Sequence, residues 1–258
     1  MRATKEPRSA HLQLAAISRQ AFSMPVTKEQ PSTNHLLAAM PRKTYLRLLP
    51  GLEPVNLEYG QVLYEPTGTI SHVYFPIDSL VSLLTAVDNQ RSLEVGMVGN
   101  EGMVGMPMAL GIGISAVRAL VQGSGTAMRM TAGRFRAEMK KNMPLQRGLF
   151  RYTHLLMAQV SQTAACNRFH TADARLARWL LMTSDRLHKD DFRLTHEFLA
   201  HMLGVRRVGV TKAASILERK NLIEYSRGNI QILDRKRLEA AACTCYRIVK
   251  DLQDQAQA

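Results

Sequence analysis

Two hydrophobic periodicities divide the chain. Between residues 52 and 130, short apolar segments alternate with turn residues such as Pro76 and Gly123, a pattern typical of an antiparallel sandwich or barrel. In the following part, apolar residues recur at steps of three and four, which is the spacing of amphipathic helices. We therefore predict an α+β chain whose strands lie at residues 61–64, 70–75, 80–84, 93–97, 116–121 and 125–130.

The remaining segments before residue 190 are predicted to be helices and one long loop. Residues 99–113 are rich in glycine and methionine, and they predict a loop that has room for one helical turn. Long loops in compact domains are often functional. Pro144 suits the first turn of a helix, where its missing N–H is not needed. The predicted helices cover residues 34–49, 132–141, 144–167, 172–187 and, near the end, 235–250.

The helix predicted after Pro144 has two apolar stripes. One follows alternating steps of four and three, the spacing of a coiled-coil seam, and contains Leu145, Leu149, Tyr152, Leu156, Gln159, Thr163 and Cys166. The second stripe contains Phe150, Thr153, Met157, Val160 and Ala164. One stripe can cover the sheet domain while the other meets a partner helix. The polar Gln159 and Thr163 fit either a homodimer or a core helix buried in a monomer. We favour the homodimer, mainly because of the DNA-binding motif described below.

Residues 194–217 predict two short helices joined by a turn. Thr195 is a favoured helix N-cap residue, and an apolar face follows at helical spacing until Gly204 interrupts it. The second helix places small or apolar residues on its inner face. Its outer face is basic and polar, with Arg206, Arg207, Thr211, Lys212 and Ser215. This arrangement predicts a helix-turn-helix whose outer side chains reach phosphates and base edges.

The residues after the second helix favour DNA binding over an ordinary helical hairpin. Residues 221–233 form two strand-like segments around Arg227, Gly228 and Asn229, which is a hairpin signal. A helix-turn-helix followed by a hairpin is a winged helix-turn-helix. We expect Arg227 and Asn229 to lie on the wing and to contact phosphates, which position a protein on DNA without specifying sequence.

Charge and composition support a nucleic-acid partner. The chain carries a formal net charge of +13, while residues 51–133 hold more acidic than basic side chains. The positive charge is therefore concentrated in segments that can face a polyanion. No run of about 18 apolar residues is present, and no secretory signal is recognisable. We expect a cytoplasmic protein without a membrane partner.

The sequence gives no positive indication of a metal, a cofactor or an enzyme. The three cysteines suit a reducing compartment, and Cys243 and Cys245 are either a redox or metal pair or two small residues on a C-terminal helix. We prefer the second interpretation. His196 and His201 imitate a zinc-protease motif, but they are five residues apart, so they do not share a helix face. Residues 1–34 are predicted to be a flexible tail or the result of an early start codon.

The order of elements resembles the Crp/Fnr family of bacterial transcription regulators, over about residues 36–235. The most specific segments are residues 60–64, 73–76, 174–181 and 199–223. The resemblance implies an N-terminal double-stranded β-helix (a jelly-roll or β-roll) that senses an effector, a dimerisation helix and a C-terminal winged helix-turn-helix. These correspond here to residues 35–143, 144–168 and 169–258. It also implies a homodimer and adds RNA polymerase as a candidate partner.

The resemblance assigns roles to residues of the second helix of the helix-turn-helix, which is the recognition helix. Family members often carry Arg-Glu followed by Arg; Arg207 occupies the first of these positions, Val208 replaces the acid and Lys212 stands at the last. Arg207 is therefore the candidate for a bidentate contact with guanine. Val208 can offer only an apolar contact, as to a thymine methyl group, so the preferred half-site should differ from that of members with the acid.

The sensor site departs from the cyclic-AMP-binding members, which supply a carboxylate for the ribose and a guanidinium for the phosphate. The nearest candidates for an effector pocket are displaced in sequence: Glu101, Gly102, Met103, Ser115 and Arg118. We therefore expect no cyclic-nucleotide site of the usual kind, no known cofactor and an unidentified effector. The predicted function is a sequence-specific, dimeric DNA-binding regulator. The alternative is a sensor or scaffold whose helix-turn-helix binds protein.

Overall fold

A computed structural model of the chain describes residues 34–87 and 92–257. Its first half is a roll of two antiparallel sheets, and its second half is mainly helical, so the predicted α+β class is confirmed. One sheet has the strand order β1-β7-β3 and the other β2-β6-β4-β5. The strands are β1 (Glu53–Leu57), β2 (Val62–Tyr64), β3 (His72–Pro76), β4 (Leu80–Ala86), β5 (Ser92–Val98), β6 (Arg118–Gly123) and β7 (Gly125–Thr131).

All six predicted strands are present, and β1 is the strand of the roll that the pattern missed. Strand β1 lies at the edge of its sheet, pairs only with β7 and buries only Leu57 fully. Its sequence therefore lacks the alternation of a half-buried strand. Pro54 within it is tolerated because an edge strand can spare a backbone N–H. The predicted loop at residues 99–113 is confirmed, with a 3-10 helix at Met106–Leu110.

The N-terminal helix is broken, contrary to the single helix predicted over residues 34–49. Helix α1 spans His35–Ala38 and helix α2 spans Arg42–Leu48, because Pro41 between them is the N-cap of α2. Asn34 caps α1 by accepting a hydrogen bond from the Leu37 amide. Its own amide donates to the carbonyls of Pro76 and Gly102, so it belongs to the folded roll. The rest of the predicted tail lies outside the described residues.

Three helices connect the roll to the C-terminal part: α3 (Ala132–Lys141), α4 (Met143–Phe169) and α5 (Ala172–Leu187). Asn142 caps α4 by accepting from the Leu145 amide. Within the described residues, no helix is long and apolar enough to span a bilayer.

The predicted coiled-coil seam of α4 faces its own protomer, and its assignment to a partner helix was wrong. Leu156 is half-buried against the roll core, and the other six seam residues are buried: Leu145, Leu149, Tyr152, Gln159, Thr163 and Cys166. Gln159 shows why, since its side chain binds the backbone N and O of Met97 at 2.6 and 3.2 Å. The second stripe is only partly covered: Phe150 is 51% and Met157 64% exposed, whereas Thr153 and Val160 are half-buried.

The C-terminal part contains the predicted helix-turn-helix and hairpin. Its elements are β8 (Asp191–Arg193), α6 (His196–Leu203), α7 (Arg207–Arg219), β9 (Ile223–Ser226), β10 (Asn229–Ile232), α8 (Arg235–Ala241) and α9 (Cys245–Gln257). Strand β8 adds an unpredicted third strand beside β10. The single closing helix predicted over residues 235–250 is instead two helices, because the chain is extended at Ala242 (φ −70°, ψ 156°). The helix also continues beyond the predicted end.

One apolar cluster joins the two halves. It contains Leu80, Leu84 and Met97 from β4 and β5 together with residues from every helix between α5 and α9. Trp179 on α5 lies in this cluster and is 2% exposed. The sheet of the roll therefore completes the core of the helical part.

Candidate nucleic-acid interface

The angle between α6 and α7 is set by local sequence. The Thr195 hydroxyl accepts a hydrogen bond from the Phe198 amide at 3.1 Å and begins α6. Gly204 ends it with φ +61°, a left-handed conformation that glycine adopts without a steric penalty. The inner face of α7 consists of small or apolar side chains that are all buried: Val210, Ala213, Ala214 and Leu217. The two alanines are small enough to let α7 pack closely on its neighbours.

The outer face of α7 is open to solvent. All six residues that the sequence assigned to it are exposed: Arg206, Arg207, Val208, Thr211, Lys212 and Ser215. None of the three cations in this set makes an ion pair with a described residue. A row of exposed, uncompensated cations along a helix is suited to a phosphate backbone.

The hairpin β9–β10 forms a wing beside this face. Its two turn residues, Arg227 and Gly228, have φ of +50° and +85°, as a two-residue hairpin turn of the type I′ requires. The turn places the Arg227 side chain in solvent, and Asn229 next to it is also exposed. Both residues therefore lie at the tip of the wing, as the sequence predicted.

His196 connects the recognition helix to the wing, a role that the sequence did not reveal. Its ring stacks on Tyr225 of β9, with centroids 4.3 Å apart and planes 12° apart. Its Nδ1 lies 3.0 Å from the Thr211 hydroxyl of α7. Burial, and then the charge of Arg207, lower the pKa of His196, so the ring is neutral near pH 7. The only sequence signal was a histidine at the first position of a helix.

The turn of the helix-turn-helix packs against the roll. A Cβ atom on Gly204 would lie 2.6 Å from Cδ1 of Leu93 on β5. The ring of Phe198 on α6 lies 5.9 Å from that of Tyr59 in the roll, measured between centroids. The orientation of the α6–α7 unit is therefore tied to the β4–β5 hairpin.

A buried polar network lies at the same junction. Glu94 of β5 accepts a hydrogen bond from the Trp179 indole at 2.9 Å, and its other oxygen lies 2.6 Å from the Ser82 hydroxyl. Ser82 also contacts the amide oxygen of Gln122, whose nitrogen donates to Thr183 of α5. Burial raises the pKa of Glu94 to about 7, so the carboxyl group is partly protonated at neutral pH.

A family model confirms the type of this C-terminal fold: residues 174–241 match the Crp-like helix-turn-helix domain. This part of the chain is therefore similar to the Crp-like helix-turn-helix domains. The match begins on α5 and ends with α8, so it includes the recognition helix, the wing and the helix that carries Trp179. A search of curated protein sequences gives no significant match.

Solved structures show that the fold of the Crp/Fnr regulators extends over most of the chain. A Crp/Fnr-family transcriptional regulator from Thermus thermophilus is 22% identical, with a TM-score of 0.62, over 74% of this chain and 98% of its own. FixK2 from Bradyrhizobium japonicum is 15% identical, with a TM-score of 0.63, over 74% and 98%. The c-di-GMP-responsive regulator CLP from Xanthomonas campestris is 15% identical, with a TM-score of 0.62, over 75% and 100%. At these identities the likeness shows the fold alone.

The residues predicted to line an effector pocket do not converge. Glu101 forms a buried ion pair with Arg186 of α5 at 2.9 Å, and Arg118 pairs with Glu65 on the surface at 2.7 Å. Gly102 packs on the ring of Tyr152, and the Ser115 hydroxyl donates to the carbonyl of Val117. Only Met103 lines the cavity between the roll and α4. The predicted grouping was therefore wrong, because two of its members are committed to ion pairs.

The cavity between the roll and α4 is apolar. It has a volume of about 520 Å³, and no acidic or basic side chain is among its lining residues. Its walls come from β2, β4, the 3-10 helix and the middle of α4, and they include Leu83, Met106, Leu156 and Val160. A cyclic phosphate in this cavity would have no guanidinium to bind.

The three cysteines, which lie on α4 and near the start of α9, come together in space with one histidine. Cys166 of α4 and His170 at its C-terminal end meet Cys243 and Cys245, which flank the break between α8 and α9. The interpretation of Cys243 and Cys245 as small residues on one C-terminal helix was wrong, because only Cys245 is helical. The separation of 77 residues between Cys166 and Cys243 hid this cluster in the sequence.

Proposed function

We propose that this chain is a sequence-specific DNA-binding transcription regulator that acts as a homodimer on a pseudo-palindromic site. The observation that carries the proposal is the exposed face of α7, whose cations Arg206, Arg207 and Lys212 have no acidic partner among the described residues. In this proposal residues 35–143 are the sensor, α4 is the dimerisation helix and residues 169–258 bind DNA. Two recognition helices would then enter major grooves about 34 Å apart.

The proposed DNA contacts divide into those that select the base sequence and those that position the protein on the DNA backbone. Arg207 begins α7, and its fork of donors suits the O6 and N7 atoms of guanine. Val208 is 58% exposed and offers an apolar contact to a thymine methyl group. Five further polar residues hold phosphates and fix the register without selecting bases: Arg206, Thr211, Ser215, Arg227 and Asn229.

The dimer contact in this proposal uses the exposed stripe of α4. Phe150 and Met157 are large apolar side chains on this stripe and are more than half exposed in one protomer. Thr153 and Val160 complete the stripe at heptad spacing, which suits a parallel pair of helices. A second copy of α4 would cover these side chains and the mouth of the apolar cavity, which Met157 and Val160 also line.

The decisive experiment is selection of bound duplexes from a random pool, followed by titrations of variants at several salt concentrations. We expect a two-fold symmetric motif and a steep fall of affinity with salt, because bound cations release counterions from DNA. Arg207→Ala should lose sequence preference, with roughly 1–3 kcal/mol of discrimination at one base pair. Arg227→Ala should weaken binding to all sequences alike.

Lys140→Ala on α3 is the matched control, since this exposed cation lies outside the proposed surface. It should leave DNA affinity and preference unchanged. Absence of any salt-dependent binding to duplex DNA would contradict the proposal and favour a scaffold whose helix-turn-helix binds protein. Equal effects of Arg207→Ala and Arg227→Ala would contradict the division of contacts.

The sensor, in this proposal, does not use a cyclic nucleotide in the usual manner. The cavity beside α4 offers apolar walls, and Arg118 and Glu101 are engaged elsewhere. Titration calorimetry with cyclic AMP and cyclic GMP should therefore give no binding. Saturable binding of either nucleotide that disappears in Arg118→Ala would refute this part of the proposal.

A further inference from the structure

The strongest unassigned feature is the cluster of Cys166, His170, Cys243 and Cys245. The four ligand atoms, three Sγ and one imidazole nitrogen, all lie within 4.8 Å of one another. We propose that these residues form a closed binding site for one divalent ion of the zinc type, held tetrahedrally by three thiolates and one imidazole. This proposal rests on local geometry and is independent of DNA binding.

The separations fit a four-coordinate ion. With Zn–S bonds of about 2.3 Å and Zn–N bonds of about 2.0–2.1 Å, a tetrahedron has S···S edges of about 3.8 Å and S···N edges of about 3.6 Å. The Sγ atoms of Cys166 and Cys243 are 3.4 Å apart. Sγ of Cys245 and Nδ1 of His170 are also 3.4 Å apart. Each of these two pairs would have to separate by only a few tenths of an ångström to admit the ion.

The chain topology brings these ligands together. Cys166 and His170 are four residues apart at the end of α4, and the His170 amide donates to the Cys166 carbonyl at 3.1 Å, so both side chains lie on one face. Cys243 lies in the break before α9, where its amide donates to the carbonyl of Ala174 on α5. Cys245 then begins α9. The break in the closing helix turns both thiols toward α4.

Two other uses of the cluster fit less well. A disulfide needs sulfur atoms about 2.05 Å apart, whereas the cysteines are free and the Cys166–Cys243 pair is wider. An iron–sulfur cluster distributes its protein ligands over two or more iron ions. Ligands on different irons lie farther apart than ligands around one ion. The compact set here therefore favours a single ion.

Buried positive charge beside the cluster provides independent support. Arg175 and Arg178 of α5 are 8% and 7% exposed, and neither makes an ion pair with a described carboxylate. Arg175 donates to the side chain of Asn167 at 2.7 Å and Arg178 lies 3.4 Å from the hydroxyl of Thr163, so both reach the part of α4 that carries Cys166. A buried charge without a counter-charge is costly. A divalent ion with three thiolates carries a net charge of −1 and would compensate part of this positive charge.

A hydrogen bond completes the site. The side-chain nitrogen of Gln162, on α4, lies 3.0 Å from Sγ of Cys245, where it can stabilise a thiolate. Metal sites in proteins commonly depend on such outer hydrogen bonds. All four coordination positions are filled by protein, as in structural rather than catalytic zinc sites. The bound ion would tie the end of α4 to α9 at the junction where α5 begins.

The test uses the full chain, reduced and freed of metal, titrated with Co²⁺ and then with Zn²⁺. We expect one Co²⁺ per chain, with the visible and thiolate charge-transfer absorption of a tetrahedral site, and displacement by Zn²⁺. Loss of an outer hydrogen bond costs roughly 10–100-fold in metal affinity. Loss of a ligand should weaken Co²⁺ binding by more than this in each of three variants: Cys243→Ser, Cys245→Ser and His170→Ala. Gln162→Ala should stay within that range.

Matched controls are Thr244→Ala, which lies between two ligands and is exposed, and His154→Ala on the exposed side of α4. Both should bind Co²⁺ as the unaltered chain does. If the ligand variants fail to fold, a rise of the melting temperature of the unaltered chain with Zn²⁺ still tests the site. No Co²⁺ spectrum in the reduced chain would overturn the proposal, as would equal loss in the controls. A Cys166–Cys243 disulfide on air oxidation, without Co²⁺ binding to the reduced form, would identify a redox pair instead.

Discussion

Replacing Glu94 by glutamine should remove a large part of the pH dependence of stability. Glu94 lies in the network that joins the roll to α5, and burial raises its pKa from the usual 4.5 to about 7. The hydrogen bonds are compatible with a proton there. Ser82 lies within hydrogen-bonding distance of both Glu94 and Gln122, but a hydroxyl can donate only one hydrogen bond. A protonated Glu94 that donates to Ser82 satisfies the whole chain of hydrogen bonds.

The sign and size follow from linkage between protonation and folding. Between pH 4.5 and 7 the folded state keeps a proton that the unfolded state releases, so the free energy of unfolding falls as the pH rises. The contribution is fully present below pH 4.5 and is lost above pH 7. A pKa difference of this size corresponds to roughly 3 kcal/mol at 1.36 kcal/mol per pH unit.

Glutamine is neutral at every pH and can make the same hydrogen bonds. Its oxygen accepts from Trp179 and its nitrogen donates to Ser82. Glu94→Gln should therefore resemble the unaltered chain at pH 5 and be more stable by roughly 3 kcal/mol at pH 8.

Urea denaturation at pH 5, 6, 7 and 8, followed by Trp179 fluorescence, measures this difference directly. Glu53→Gln is the control, because Glu53 is an exposed carboxylate that pairs with Arg129 in the β1-β7-β3 sheet, away from the network. It should leave the pH profile unchanged. The explanation fails if Glu94→Gln and the unaltered chain lose stability in parallel between pH 5 and pH 8.

Three further changes test other parts of the fold. Gly102→Ala would place a Cβ atom 2.0 Å from the buried ring of Tyr152 and should lower the free energy of unfolding in urea by at least about 1–3 kcal/mol. The control Gly133→Ala has open space around it and should not destabilise the fold. Equal effects of the two changes would contradict the packing. Thr195→Ala removes the cap of α6 and should cost about 1 kcal/mol, whereas Thr195→Ser should retain it. Met157→Glu should give monomers in analytical ultracentrifugation; unchanged dimers would exclude the exposed stripe of α4.

The roll and the helix-turn-helix were predictable because local signals agree with the fold. Alternating strands, the N-cap Thr195, Gly204 at the turn and the Arg227–Gly228 hairpin each act within a few residues. Where two local signals competed, the prediction was wrong. Pro41 split a helix that hydrophobic spacing had predicted as continuous, and the extended residue Ala242 did the same before α9.

Contacts between distant segments were beyond sequence reasoning. The seam of α4 has the spacing of a coiled coil, but spacing does not say whether the apolar face meets a second copy or the chain's own sheet. Here Gln159 hydrogen-bonds to the backbone of Met97, which shows that the seam packs against the chain's own sheet. The cluster of Cys166 with Cys243 and the ion pair of Glu101 with Arg186 likewise depend on how α4, α5 and α9 pack.

The apolar cluster shared by β4, β5 and the Crp-like domain limits how this protein can be recombined. The roll contributes Leu80, Leu84 and Met97 to this cluster. The helical part alone would therefore expose the apolar face that these residues cover. A chimera that grafts residues 174–241 onto another sensor would have an incomplete core. To transplant the domain, an engineer would have to bring the β4–β5 hairpin with it or replace the uncovered apolar residues with polar ones.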